Sequence, residues 1–313
     1  MKIFRLILCI LLLSALLLAP PYLTRMARRD FFAEHRRLTE PSFSGTVTLY
    51  HIVSDRTYTG SLTNWLSTMA EKYEKRNKGT HILVEGMTEP FFLERISYGR
   101  IPDGVSFFSG VIDAEDLKLS ESTPVLLKEG LFDLDRAVPY CYSGYCSVET
   151  DLPKAPMPEE DTVAALLCKA EAGVVTDFRS AGDCVRNEEF GASYRIKSVG
   201  NYTDQVCWLG VWKTAGEEQS KALCGFYDFL REEAQQQTLC GLGAFSVLDG
   251  VEDAAPQSDW KDIYAAYRTV LTPDPFALCR NRDALGEDAH FATEGDPEAK
   301  ARFEERMAQI LNK

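Results

Sequence analysis

The chain has 313 residues, 45% of them hydrophobic and 26% charged, with a formal net charge of −13. These are globular values, and the length suits two domains of ordinary size. Beyond residue 40 stand 27 Lys and Arg against 44 Asp and Glu, a net −17 with no basic patch, which excludes nucleic acid as a partner.

Lys2 and Arg5 precede residues 6–19, an uncharged apolar run. The run is nearer in length to a signal-peptide core than to a full span, yet Pro20 and Pro21 follow it and no small-x-small cleavage site is visible. The expectation is an uncleaved anchor over residues 1–24, with a cleaved signal as the alternative. Residues 25–44 form a charged tether. Its Arg25, Arg28, Arg29, Arg36 and Arg37 oppose export by the positive-inside rule.

Residues 46–53 are β-branched and apolar, a first strand. Ser61 or Thr63 caps a helix carrying Trp65, Leu66, Met69, Ala70 and Tyr73 at helical spacing, and Lys78-Gly79 stops it. Residues 81–85 read as a second strand, 89–98 as a helix and 102–110 as a third strand with its exit loop. That alternation predicts parallel strands with right-handed crossovers. Residues 161–172 read as a helix and 173–176 as a short strand. The turn 200–205 leads into a strand, and 217–237 into one long amphipathic helix. After residue 250 the signals weaken: a helix over 259–267, a turn at 272–275, a polar loop over 282–296. A charged helix over 297–313 has Phe303, Met307 and Ile310 on one face.

Enzyme signatures are missing. The four histidines, His35, His51, His81 and His290, are scattered, and there is no G-x-S-x-G, H-E-x-x-H, Walker loop or G-x-G-x-x-G. Neither a cofactor nor a metal is expected. Apart from Cys9, the cysteines are Cys141, Cys146, Cys168, Cys184, Cys207, Cys224, Cys240 and Cys279. They lack paired close spacing and several fall on core positions, so most are expected to be buried thiols.

Segments along the chain occur in an order that resembles the extracellular solute-binding proteins of ABC importers. "GTVTLYHIVSD" resembles the opening strand, and "WLSTMAEKYEKRNKGTHILVEG" the helix and strand after it. "IPDGVSFFSG" resembles the third strand end, and "LLKEGLFDLD" and "AVPYCYSGYCSVE" the approach to the hinge. "GNYTDQVCWLGVW", the long helix and "GLGAFSV" resemble the later strand, helix and turn, with Ser246 replacing the usual proline. The resemblance implies a two-lobed α/β fold of the type II periplasmic-binding kind. Only about fifty residues separate Thr150 from Gly200, so a reduced second lobe is expected. The implied division is an N-terminal lobe over 45–140, hinge strands and a second lobe over 141–250, and C-terminal helices over 251–313.

The resemblance also implies capture of a small polar solute, most often a sugar, at the outer face of the cell membrane, for delivery to an ABC permease. Ligand would sit at the carboxyl ends of the strands. That singles out Asp55 and Ser109, the aromatics Trp65, Tyr142, Tyr145, Tyr202 and Trp208, and the carboxylate of Asp204. Core packing competes for Trp65 and Trp208, and a turn-capping role for Asp204. The alternative is a membrane-anchored protein built on a decayed binding fold, acting by protein interaction without a small ligand.

Overall fold

In the computed structural model, the described residues are 43–53, 61–128, 131, 133–151, 174–189, 193–199, 203–240, 242, 244–251, 277–278, 288, 291–292 and 296–311. Strand β1 (Gly45–Ile52) pairs in parallel with β2 (Thr80–Met87) and with β3 (Gly104–Phe108). The crossovers are helices α1 (Leu62–Arg76) and α2 (Glu89–Ser97). Ser61 is the cap of α1: its hydroxyl accepts the Asn64 N–H at 3.2 Å. The buried side of α1 is Leu62, Trp65, Leu66, Met69, Ala70 and Tyr73, the face expected from spacing. Asp103 holds the entry to β3, accepting the Thr48 N–H at 2.8 Å.

From β3 the chain passes through a long loop to β4 (Val138–Tyr142), then crosses in two residues, Ser143 and Gly144, to β5 (Tyr145–Thr150). A second, three-stranded sheet has the order β6-β5-β7, with β6 (Val174–Asp177) and β7 (Tyr194–Ser198) both antiparallel to β5. Helix α3 (Phe178–Arg186) and β7 were not legible in the sequence, and the helix expected over 161–172 lies outside the described residues. The chain then returns. Strand β8 (Val206–Val211) inserts antiparallel between β3 and β4, giving a six-stranded sheet β2-β1-β3-β8-β4-β9, where β9 is Phe245–Ser246. Motif order alone puts this strand with the second lobe over 141–250. It belongs to the first sheet, because all six of its residues are buried and only a position with two neighbours and two covered faces buries them.

The sheet has two covered faces. On one, Val47, Leu49, Val138, Leu209 and Val211 pack against α1 and against α4 (Glu217–Leu230). The Tyr227 hydroxyl of α4 donates to Gly210 C=O at 2.9 Å. Gly104 is required beneath it: a Cβ there would stand 2.5 Å from that hydroxyl oxygen. On the other face, Tyr50, Val105, Phe107, Trp208 and Trp212 share one apolar cluster with Phe92 of α2 and with Cys146, Val148, Phe178 and Cys184 of the second sheet's layer. The two sheets therefore share a continuous core. The five described cysteines other than Cys240 are buried thiols.

The single helix expected over 217–237 is two. Helix α4 ends at Leu230, and α5 (Glu233–Cys240) restarts after a break. The local sequence is helix-prone, so the break has a tertiary cause. The Arg231 side chain turns inward to Asp133 at 3.0 Å, fully buried. The turn carries Gln236 under the sheet, where its amide donates to Tyr140 C=O and Leu230 C=O, both at 2.9 Å. Its oxygen accepts from the Ser246 hydroxyl at 2.9 Å and from Val247 N–H at 3.1 Å. Ser246, where the resembled family has proline, thus serves as a partner of this amide. The C-terminal helix α6 (Pro297–Leu311) is present where expected. Among the described residues, no helix is long and apolar enough to cross a membrane, and the segment 1–24 lies outside them.

This buried polar framework is testable at two positions. Gln236→Leu leaves at least three backbone groups without a partner and should cost about 2–4 kcal/mol in urea unfolding; a loss under about 1 kcal/mol would contradict it. The second position is His51, whose Nδ1 lies 2.9 Å from the Ser106 hydroxyl, itself 2.9 Å from the Tyr140 hydroxyl. Burial pushes His51 down to about 4 from 6.5, against a weaker upward pull from a hydrogen bond at Ser106. The unfolded chain then takes up the proton first. Stability is complete above about pH 6.5 and falls between 6.5 and 4, by roughly 3 kcal/mol from this group. His51→Gln should flatten the measured pH dependence by that amount within that window.

Candidate functional site

The site is the place where the chain crosses twice between the sheets. It leaves the six-stranded sheet at Tyr142 and re-enters at Val206, and these two residues are partners in the β4–β8 ladder. The ladder continues one step into the crossing, with Ser143 N–H donating to Gln205 C=O at 3.0 Å. The Thr203 hydroxyl donates to Ser143 C=O at 2.6 Å and accepts the Gln205 N–H at 3.0 Å. Phe178 N–H donates to Gly144 C=O at 3.0 Å, so α3 begins at the same point. Asp177, fully buried, caps α3 by accepting from Ser180 N–H and hydroxyl at 2.8 and 2.7 Å.

Of the residues singled out from sequence, five gather here. Tyr145 donates its hydroxyl to Asp204 Oδ1 at 2.5 Å. Trp208 donates its indole N–H to the Ser109 hydroxyl at 2.9 Å, and Ser109 N–H donates to Val206 C=O at 3.2 Å. Tyr142 stacks on Phe245 with ring centres 5.1 Å apart, and Phe178 meets Phe245 edge-on at 5.8 Å. Trp65 stands elsewhere. It lies on α1, stacked 6.0 Å from Tyr140, with its N–H on the Thr238 hydroxyl at 2.8 Å. Asp55 and Tyr202 lie outside the described residues. All six described candidates are buried, with Trp65 the most open at 7%.

Other residues at the crossing carried no motif. Ser143 Oγ, Thr176 Oγ1 and Gln205 Oε1 are buried and have no hydrogen-bond partner among the described residues. Ser143 and Gln205 face each other across the crossing, and Thr176 is in β6, one residue before Asp177, the ladder partner of Tyr145. Buried polar groups without partners cost about 1–3 kcal/mol each, so such a cluster marks a place where another molecule completes the bonding. Two hydroxyls donate and accept, and an amide oxygen accepts, which suits a neutral hydroxyl-bearing group. The Lys128 ammonium, also buried, lies 5.4 Å over the Tyr142 ring. No sequence signal marks these four. Their burial arises from tertiary placement. Among the described residues, no three His, Cys, Asp or Glu side chains are grouped to hold a metal ion.

No protein-family model matches the chain, and no curated protein matches it. Solved structures do. An ABC substrate-binding protein from Listeria monocytogenes in complex with cycloalternan is 11% identical, with a TM-score of 0.52 over 86% of this chain and 98% of that one. The cyclic alpha-maltosyl-1,6-maltose binding protein from Arthrobacter globiformis is 12% identical, with a TM-score of 0.51 over the same shares. The Trichodesmium protein IdiA (FutA), in complex with iron and citrate, is 12% identical, with a TM-score of 0.51 over 78% and 97%. The fold is that of the periplasmic binding proteins.

Tyr145→Phe removes the hydroxyl that donates to Asp204 in a buried pair. It should lower stability by about 1–3 kcal/mol. For the same reason Asp204→Ala should lower the melting temperature of the empty protein, whereas an exposed ligand contact would leave it unchanged.

Proposed function

We propose that the protein is an extracytoplasmic solute-binding protein. It captures a small polar solute, a carbohydrate by preference, for an ABC importer, while residues 1–24 tether it to the membrane. The observation that carries this reading is the cluster of Ser143, Thr176 and Gln205 at the crossing, with hydrogen-bonding capacity that the described residues do not use. The fold supplies the context, since its solved neighbours are solute binders. The hydroxyl and amide groups of the cluster carry no formal charge and match the hydroxyls of a neutral solute. The strongly acidic surface disfavours anions.

The test is a thermal-shift screen of the full chain in detergent micelles against sugars, peptides and polyamines. A solute at 100 times its dissociation constant adds about 2.7 kcal/mol. Ser143→Ala and Thr176→Val should each remove most of that shift. Neither should lower the melting temperature of the empty protein, because each deletes a buried hydroxyl that has no partner among the described residues. A sugar shift untouched by either substitution would move the site elsewhere. The absence of a shift with every solute would favour the ligand-free interaction protein instead.

A further inference from the structure

The ladder between β4 and β8 is irregular at one step. Pro139 faces Trp208, and Cys141 faces Cys207, so Tyr140 is an extra residue on β4, a β-bulge. Tyr140, Cys141 and Cys207 all lie in the same apolar cluster, each with no exposed surface. The bulge has therefore put two thiols and a phenol on one face of the sheet. The Tyr140 hydroxyl shows the convergence: burial raises its pKa most, then the proximity of Cys207 and of Cys141, and it shares a hydrogen bond with the Cys207 thiol.

Directly opposed residues of an antiparallel pair have Cβ atoms about 4.5–5.5 Å apart and Cα atoms at about the same spacing. Disulfides span Cα separations of about 4.4–6.8 Å. None of the other described cysteines has a cysteine as its ladder partner: Cys146 faces Thr176 and Ser198, while Cys184, Cys224 and Cys240 are on helices. We propose that Cys141 and Cys207 are a redox site, joined by a disulfide when the chain folds in an oxidising compartment. The bridge would fasten β4 to β8 one step below the crossing, where Tyr142 faces Val206 and Ser143 bonds Gln205.

The oxidant is a disulfide such as oxidised glutathione. One thiolate attacks a glutathione sulfur and displaces the first glutathione as a thiolate. The second cysteine, deprotonated, attacks the mixed disulfide and displaces the other. Two protein thiols lose two protons and two electrons, and one oxidised glutathione becomes two reduced ones. Both cysteines are wholly buried, so the exchange occurs during folding, before β8 is seated.

The experiment refolds the full chain in detergent micelles from denaturant, with oxidised and reduced glutathione or with reductant alone. Remaining thiols are alkylated and peptides are mapped without reduction. The expected result is one linked peptide pair containing Cys141 and Cys207, and a melting temperature several degrees above that of the reduced protein. Cys141→Ala and Cys207→Ala should each abolish both the link and the difference. Alkylation of both thiols after oxidative refolding, or a link from either to another cysteine, overturns the proposal. The wild-type map decides the matter even where an alanine variant folds poorly.

Discussion

Strand β8 is the constraint on which the rest depends. The chain leaves the six-stranded sheet at Tyr142, builds a second sheet, and must come back through the middle of the first. Return into an interior position gives β8 two hydrogen-bonded neighbours and two apolar faces, and all six of its residues are buried. An antiparallel strand held between β3 and β4 brings its start, Thr203 to Val206, against the exit of β4 and the exit of β3. That coincidence creates the crossing. It also explains why Ser109, Tyr142, Tyr145, Asp204 and Trp208, spread over about a hundred residues, assemble there.

The interior is unusually dependent on polar side chains. Gln236 bonds four groups from β4, the end of α4, β9 and Val247, so one amide ties the break between helices to the sheet. His51, Ser106 and Tyr140 run as a hydrogen-bonded chain across β1, β3 and β4. Arg231 is buried against Asp133. Satisfied networks of this kind specify one arrangement, because an apolar core tolerates slippage that buried hydrogen bonds do not. Satisfaction is incomplete at Arg231, whose Nε and Nη1 have no partner among the described residues, and at Ser143, Thr176 and Gln205, which lie together at the crossing between the sheets and for that reason carry the functional reading.

The aromatic seam of Tyr142, Phe245 and Phe178 sets the relation between the sheets. Phe178 opens α3 in the second sheet's layer, Phe245 is in β9 at the edge of the first sheet, and Tyr142 ends β4. Aromatic contacts of this geometry add about 0.5–1.5 kcal/mol each beyond area burial. The three-stranded sheet, small as it is, shares this seam and the cluster beneath it instead of building a separate core.

Local signals were enough for β1 to β3, α1, α2 and the start of α4, because each couples a clear period to a cap or a stop, as Ser61 and Gly79 do for α1. Motif order named Ser109, Tyr142, Tyr145, Asp204 and Trp208, and the fold brings these five together at the crossing. The sequence could not say that Trp65 and Trp208 are internal, since an aromatic on an apolar face reads the same whether it meets a helix or a ligand. Nor could it assign β8 to a sheet: a fully apolar run announces burial on two faces but not between which neighbours. The break at Arg231, the bulge at Tyr140 and the burial of the Ser143, Thr176 and Gln205 side chains arise from long-range packing, in which partners distant in sequence decide what a residue touches. By itself, then, the amino-acid order determined periodic elements, an α/β class and an acidic exterior. Only the tertiary structure decided which strands are neighbours, which polar groups are satisfied and where the two sheets meet, because those depend on contacts between residues far apart in the chain.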